Sequence, residues 1–297
     1  SISNKYTTVQ HLFNCFIKEC DTFGRTPSTI KNYSLGYNIF VQHQPGIGRQ
    51  QITAINNQTI VNYTAYLRER NTSTATINSY IRSIRAFMYW CMNNHYIPAF
   101  KIRLVKEREQ LKEPYTHNQL SVFLRKPNTR DSFPQWRAWA VINWVIALGS
   151  RVSTIANVTM SDIDIRNSTV VTRHNKNGRV DSVAMPSELK KALLEYMRHR
   201  PDSEYLFCNV DGGKINSAGL AQAVGKYNKS RGVSKTSVHL LRHTFGALWA
   251  ENGGDVFGLQ KVLGHSDIRM TQKYVNIYGN DNTNSLFIKY NPLENLK

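Results

Sequence analysis

The sequence predicts a mainly α-helical chain in two parts, a four-helix N-terminal domain and a C-terminal α+β domain with one small antiparallel sheet. Three observations carry this. Apolar residues recur at helical spacing through the first hundred positions. A β-branched run followed by an Asn/Gly turn marks a hairpin near residue 170. Hydrophobic residues make up 41% of the 297, with 12 Phe, 15 Tyr and 5 Trp, enough for a sizeable core and incompatible with a disordered chain.

In the first part, Val9, Leu12, Phe13, Phe16 and Ile17 trace one buried helix face. Thr26-Pro27 pairs a cap residue with proline at the first helical position, and Ile30, Tyr33, Tyr37 and Phe40 continue that helix. Ile60, Tyr63 and Leu67 mark a third. The fourth carries the stripe Ile77, Tyr80, Ile81, Ile84, Phe87, Met88 and Cys91, with Arg82 and Arg85 on its other face, and Tyr96-Ile97-Pro98 ends it. Lys101–Glu113 is dense in charge and reads as a linker; the domains are set at 1–106 and 114–297, joined by 107–113.

The second part is mixed. Trp136, Ala140, Trp144 and Leu148 share a helix face. Thr169–Thr172, the turn Asn175-Lys176-Asn177-Gly178 and Arg179–Met185 form the hairpin. Pro186-Ser187 opens a helix with Leu189, Leu193, Leu194 and Met197, and helical patterns run from Ser217 to Tyr274, broken at Gly253-Gly254 and Gly264.

Lys and Arg number 38 against 20 acidic residues, a net +18 with a pI near 9.8. No apolar run is long enough for a membrane span, and the first ten residues lack a signal layout. Such a charge points to a polyanion, most simply nucleic acid. Residues 1–113 carry +8 and the remainder +10, so two basic surfaces are expected to close on one ligand. Cys15, Cys20, Cys91 and Cys208 lack C-x-x-C spacing and read as reduced, mostly buried thiols in a cytoplasmic protein.

The chemistry sits in short stretches. In Val238–Thr244, His239 and Arg242 share a helix face, suiting an anion that takes a guanidinium fork and an imidazole, such as a phosphodiester. His239 and His243 stand four apart, but Leu240 occupies the place where a zinc hydrolase carries Glu, and no third ligand follows nearby, so no metal is expected. Gly264-His265-Ser266 and Thr271–Tyr274 follow, and Gly149-Ser150-Arg151 ends the apolar helix upstream. Alone, each of these residues is more often structural than functional.

Together, in this order and spacing, they resemble the tyrosine recombinase (phage integrase) family of site-specific DNA strand exchange. The signature of Arg, hairpin Lys, His-x-x-Arg, His and Tyr falls on Arg151, Lys176, His239, Arg242, His265 and Tyr274. Thr26–Phe40 and Thr76–Trp90 look like the family's core-binding (SAM-like) domain. Two departures stand out: Thr154 replaces an acidic residue three positions after the first arginine, and Asp181 stands where a second basic residue is common.

The resemblance implies cleavage and rejoining of double-stranded DNA through a 3′-phosphotyrosine on Tyr274, without metal, ATP or other cofactor. Arg151 and Arg242 would clamp the phosphate, His265 would hydrogen-bond it, His239 would take the phenol proton and Lys176 would protonate the leaving 5′ oxygen. Lys31, Arg82, Arg85, Arg173 and Arg179 are the expected DNA-binding residues. A homotetramer on paired sites, with the segment after Tyr274 (Leu286, Phe287 and Ile288 its apolar cluster) docked on a neighbour, is implied, with DNA-bending proteins as accessory partners. Topoisomerase-like relaxation by the same chemistry, and non-catalytic DNA binding, are the alternatives.

Overall fold

The computed structural model describes residues 7–107, 112–174 and 179–279. The chain divides into two compact units, Ser1–Gln110 and Leu111–Lys297.

The first unit is built from α1 (Val9–Thr22), α2 (Pro27–His43), α3 (Asn57–Glu69) and α4 (Thr74–Asn93). Each begins where a side chain can accept an otherwise orphaned backbone N–H: Thr8 from His11, Thr26 from Thr29, Asn56 from Thr59 and Ser73 from Thr76. The stripes foreseen above form the core, with Val9, Phe40, Tyr63, Phe87, Met88 and Cys91 entirely buried. Phe13 stacks on Tyr37 at 3.8 Å and meets the edge of Phe87 at 5.3 Å. Burial pushes the Cys91 thiol up to about 12, so it stays a protonated core residue. Cys208 is also buried, Cys15 and Cys20 are half-buried, and all four are free thiols.

The charge-dense stretch differs from expectation. Ile102 is buried in the first core, with Leu104 and Val105 packed against it. Asn78, itself buried on α4, donates to the Val105 carbonyl at 3.0 Å and accepts from the Val105 N–H at 2.9 Å. Residues 101–105 therefore pack within the helical unit, inside the 1–106 boundary, although their charge read as linker. In Lys-Ile-Arg-Leu-Val the charges point away while the apolar residues dock.

The second unit centres on α6 (Phe133–Leu148), which packs against α8 (Ser187–Met197), α9 (Ser217–Ser230) and α10 (Val238–Glu251). Trp136, Ala140 and Trp144 on α6 are fully buried. Two further short helices are α5 (His117–Leu124) and α7 (Val152–Ile155). The hairpin pairs β2 (Thr169–His174) with β3 (Arg179–Ala184) in the register Thr169↔Ala184 to His174↔Arg179. A two-residue β1 (Ile163–Asp164), not foreseen, adds antiparallel to β2, giving the order β1-β2-β3. The chain finishes with α11 (Val256–Leu263) and α12 (Arg269–Tyr278). Among the described residues no helix is long and apolar enough to cross a membrane.

Candidate active site

Two glycine turns set up the site. α6 ends at Leu148 and Gly149 adopts a left-handed φ of 60°; α11 ends at Leu263 and Gly264 adopts 58°. Such a residue closes a helix C-terminus cheaply only when it is glycine. At Gly149 space also demands it, because a Cβ would stand 2.6 Å from the Phe245 ring. The turn after Gly149 places Arg151 at the start of α7, where its carbonyl accepts from Thr154 and Ile155. On α10, capped by Ser237, spacing of three and four brings His239, Arg242 and His243 to one side.

Both arginines are held by these helix ends. Arg242 is buried, its Nη1 donating to the Gly149 carbonyl and its Nη2 to the Leu263 carbonyl, each at 2.7 Å. Arg151 is exposed and donates from Nη2 to the Gly264 carbonyl at 3.1 Å. Helix C-termini carry unpaired carbonyls and partial negative charge, so they position cations without neutralising them as a carboxylate would. Burial, and then Arg151, hold the Arg242 guanidinium down at about 10, leaving it protonated at neutral pH. Both arginines and Thr154 line a cavity of about 430 Å³, together with Phe245, Trp249 and Val262. A second cation beside a buried arginine is unfavourable until an anion arrives, which fits a phosphodiester.

His265 follows Gly264 and is held three ways. Its N–H donates to the Gln260 carbonyl, its own carbonyl accepts from Gln260 Nε2, and its Nδ1 lies 2.9 Å from Thr271 Oγ1. Burial, then Arg242, Arg151 and His239, push its pKa down to about 4. His239 reaches solvent, yet desolvation and the cations Arg242, Lys112 and Arg151 also disfavour its charged form.

Tyr274 is half-buried on α12. Its ring lies over Gly246 of α10, where a Cβ would sit 2.7 Å from Cε1. Its hydroxyl is 3.1 Å from Nδ1 of His243, not bonded to His239 as the sequence suggested. Burial raises the phenol's pKa while Arg242 opposes that rise. The structure thus brings together Arg151, Arg242, His265 and Tyr274, with His239 one turn before His243. Sequence reasoning weighed His243 only as a metal ligand, named Gly149 and Thr271 without a role, and missed Gly246. The only available signal was a pair of i, i+4 spacings, His239/His243 and Tyr274/Tyr278. Among the described residues no group of three or more His, Cys, Asp or Glu is placed to hold a metal.

The other candidates are placed as follows. Lys176 and the Asn175–Gly178 turn lie outside the described residues, as does the Leu286–Ile288 cluster. Arg173 and Arg179 occupy β2 and β3, opposite Val180 and His174. Lys31 and Arg82 are exposed and Arg85 is half-buried, on α2 and α4 of the first unit.

Known proteins share this chain's family and fold. Residues 114–280 match the model of the phage integrase family. The chain is 26% identical over 262 residues to the tyrosine recombinase XerC of Roseiflexus sp., covering 84% of this chain and 83% of that one. It is 28% identical over 279 residues to the tyrosine recombinase XerA of Saccharolobus solfataricus, covering 91% and 89%. In fold it resembles the Tn1549 transposon integrase solved with circular intermediate DNA (TM-score 0.73, 21% identity, 95% of this chain and 99% of that one). It equally resembles the λ integrase tetramer bound to a Holliday junction (TM-score 0.73, 15% identity, 89% and 79%). The chain belongs to the phage integrase family, the tyrosine recombinases of site-specific DNA strand exchange.

Proposed function

We propose that this recombinase cuts double-stranded DNA with Tyr274, forming a 3′-phosphotyrosine and a free 5′ hydroxyl. The 5′ end of a partner strand then reverses the step with strands exchanged. The observation that carries this is that two carbonyl-held arginines share one cavity, that both act electrostatically on His265, and that Arg242 also acts on the Tyr274 phenol.

Attack on a phosphodiester builds charge on the non-bridging oxygens. Arg151 and Arg242 are preorganised to receive it, and loss of such a donor commonly costs ~3 kcal/mol, or about 100-fold in rate. His265 is neutral at pH 7 and donates one further hydrogen bond. His239, three residues before Arg242 on the same face, adds an imidazole to the guanidinium fork. Lys176 protonates the departing 5′ oxygen. The bond energy is conserved in the phosphotyrosine, so the cycle needs neither ATP nor metal.

Strand exchange joins two duplexes and so requires four protomers, an assembly supported by the λ integrase tetramer on its Holliday junction. The basic faces of both units, Lys31, Arg82 and Arg85 in the first and Arg173 and Arg179 in the second, are assigned to backbone phosphates. Docking of the segment after Tyr274 on a neighbour, DNA-bending accessory proteins and a cytoplasmic, nucleoid-associated setting complete the proposal.

The test is a nicked suicide substrate that traps the covalent adduct. Tyr274→Phe is expected to bind the site normally and form no adduct; an adduct in that variant overturns the assignment. Relaxation of supercoils without intermolecular products would favour the topoisomerase-like alternative.

A further inference from the structure

We propose that His243 is the residue that accepts the Tyr274 proton as the phenol oxygen attacks phosphorus. This rests on the reading of Tyr274 as nucleophile and adds a catalytic residue to it.

The argument begins with geometry. Nδ1 of His243 is 3.1 Å from the Tyr274 hydroxyl, within direct proton-transfer reach. The two rings lie 5.0 Å apart at 46°, and Tyr278, one turn on along α12, presents an edge to His243 at 6.2 Å. The bare Gly246 lets the phenol ring sit directly on α10 at this distance. His239, four residues earlier on that helix, makes no such contact.

Protonation follows from the surroundings. His243 is 7% exposed, and burial, with His239 as a further contributor, favours the neutral ring. A neutral imidazole has one nitrogen able to accept. A phenol held high by burial keeps its proton and donates it, so Nδ1 is the acceptor and Nε2 carries the ring hydrogen. Nε2 is buried with no hydrogen-bond partner among the described residues, while the backbone of Lys112 favours a charged ring. The titratable groups around His243 are therefore Tyr274 and Tyr278 from α12 and His239 on its own helix, while Lys112 acts on it through its backbone. Such a base stays free at neutral pH and is not quenched by solvent.

The step balances. The Tyr274 oxygen forms a bond to phosphorus, its proton passes to Nδ1 of His243, and the bond from phosphorus to the 5′ oxygen breaks. That oxygen takes a proton from Lys176. Rejoining runs the same transfers backwards, with the imidazolium returning its proton to the phenol oxygen.

Single-turnover cleavage of the suicide substrate provides the test. His243→Asn keeps an acceptor near the Nδ1 position but no base, and is expected to slow cleavage about 100-fold or more with site binding unchanged. Replacing Tyr274 with a difluorotyrosine, a more acidic phenol, should restore most of that loss. A 5′-bridging sulfur leaving group, which needs no protonation, should rescue Lys176→Ala and leave His243→Asn slow. Cleavage by His243→Asn at the parent rate, or rescue by the sulfur substrate, overturns the proposal. An adduct in Tyr274→Phe instead overturns the underlying reading. If His243→Asn fails to fold, ¹⁵N shifts of His243 in the unmutated chain decide: an unprotonated Nδ1 is expected, and a protonated Nδ1 overturns the proposal.

Discussion

Thr271 and His265 are joined Oγ1 to Nδ1 at 2.9 Å, and Thr271 is fully buried on the helix that carries Tyr274. One hydroxyl thus fixes the His265 ring and ties its turn to the helix of Tyr274. Thr271→Val keeps the shape and removes that bond. A lost buried partner costs about 1–3 kcal/mol, so cleavage should fall roughly 10-fold or more with DNA binding largely intact. Thr271→Ser should recover most of the rate.

Acid should weaken the fold and DNA should reverse part of that effect. His265 titrates near 4 when folded and near 6.5 when unfolded, so between those values the unfolded chain binds the extra proton. Stability therefore falls as pH drops from 6.5 towards 4, and His239 and His243, also held low, act in the same direction. The urea midpoint should be lower at pH 5 than at pH 7, with a smaller difference in His265→Gln. A bound phosphate offsets Arg151 and Arg242 and raises these pKa values. Calorimetry at pH 5.5 in buffers of different ionisation enthalpy should register proton uptake on DNA binding, reduced in the same variant.

Gly149→Ala is expected to be costly for two separable reasons. Left-handed backbone at a non-glycine residue costs about 1–3 kcal/mol, and the new methyl would press into Phe245. Gly24 has a φ of 73° and nothing within 4 Å of its missing Cβ, so Gly24→Ala reports the backbone part alone. Denaturant melts should place Gly149→Ala below Gly24→Ala by a further ~1–3 kcal/mol. Only the former should lose cleavage, because it moves the carbonyl that holds Arg242.

The two basic halves should act as a clamp on DNA. The salt slope of binding is about −0.9 per neutralised phosphate. A chain cut within 107–113 should give fragments each with a smaller slope than the whole, and affinity should fall far more than additively as the tether is lost. Arg82→Ala with Arg85→Ala should flatten the slope of the first fragment. A fragment 114–297 that binds as tightly and as salt-sensitively as the full chain would exclude the clamp.

Much of the fold was legible because a helix writes its buried face into the chain every three or four residues, as Ile77 through Cys91 does on α4. The hairpin announced itself by β-branching and its turn. β1 was not legible, since two residues are too few for any period. The docking of Ile102, Leu104 and Val105 was masked by the charges interleaved with them. In the site, the resemblance to the family signature singled out the guanidiniums and the phenol, because those groups are side chains. The contact from His243 to Tyr274 joins residues 31 positions apart on two helices and depends on how those helices cross.

The acceptors that hold Arg151 and Arg242 are main-chain carbonyls, and every amino acid carries one. Point substitution of a partner cannot delete them, as it could delete a paired aspartate. The placement of the two guanidiniums is thereby encoded in the course of the backbone, with Gly149 and Gly264 as its narrow points of vulnerability. A redesign that preserved both turns and the two arginines could rewrite most neighbouring side chains and still present the same paired cations. The placement is in that sense portable, and grafting the two helix ends onto another helical scaffold is a practical route to a phosphodiester-binding site.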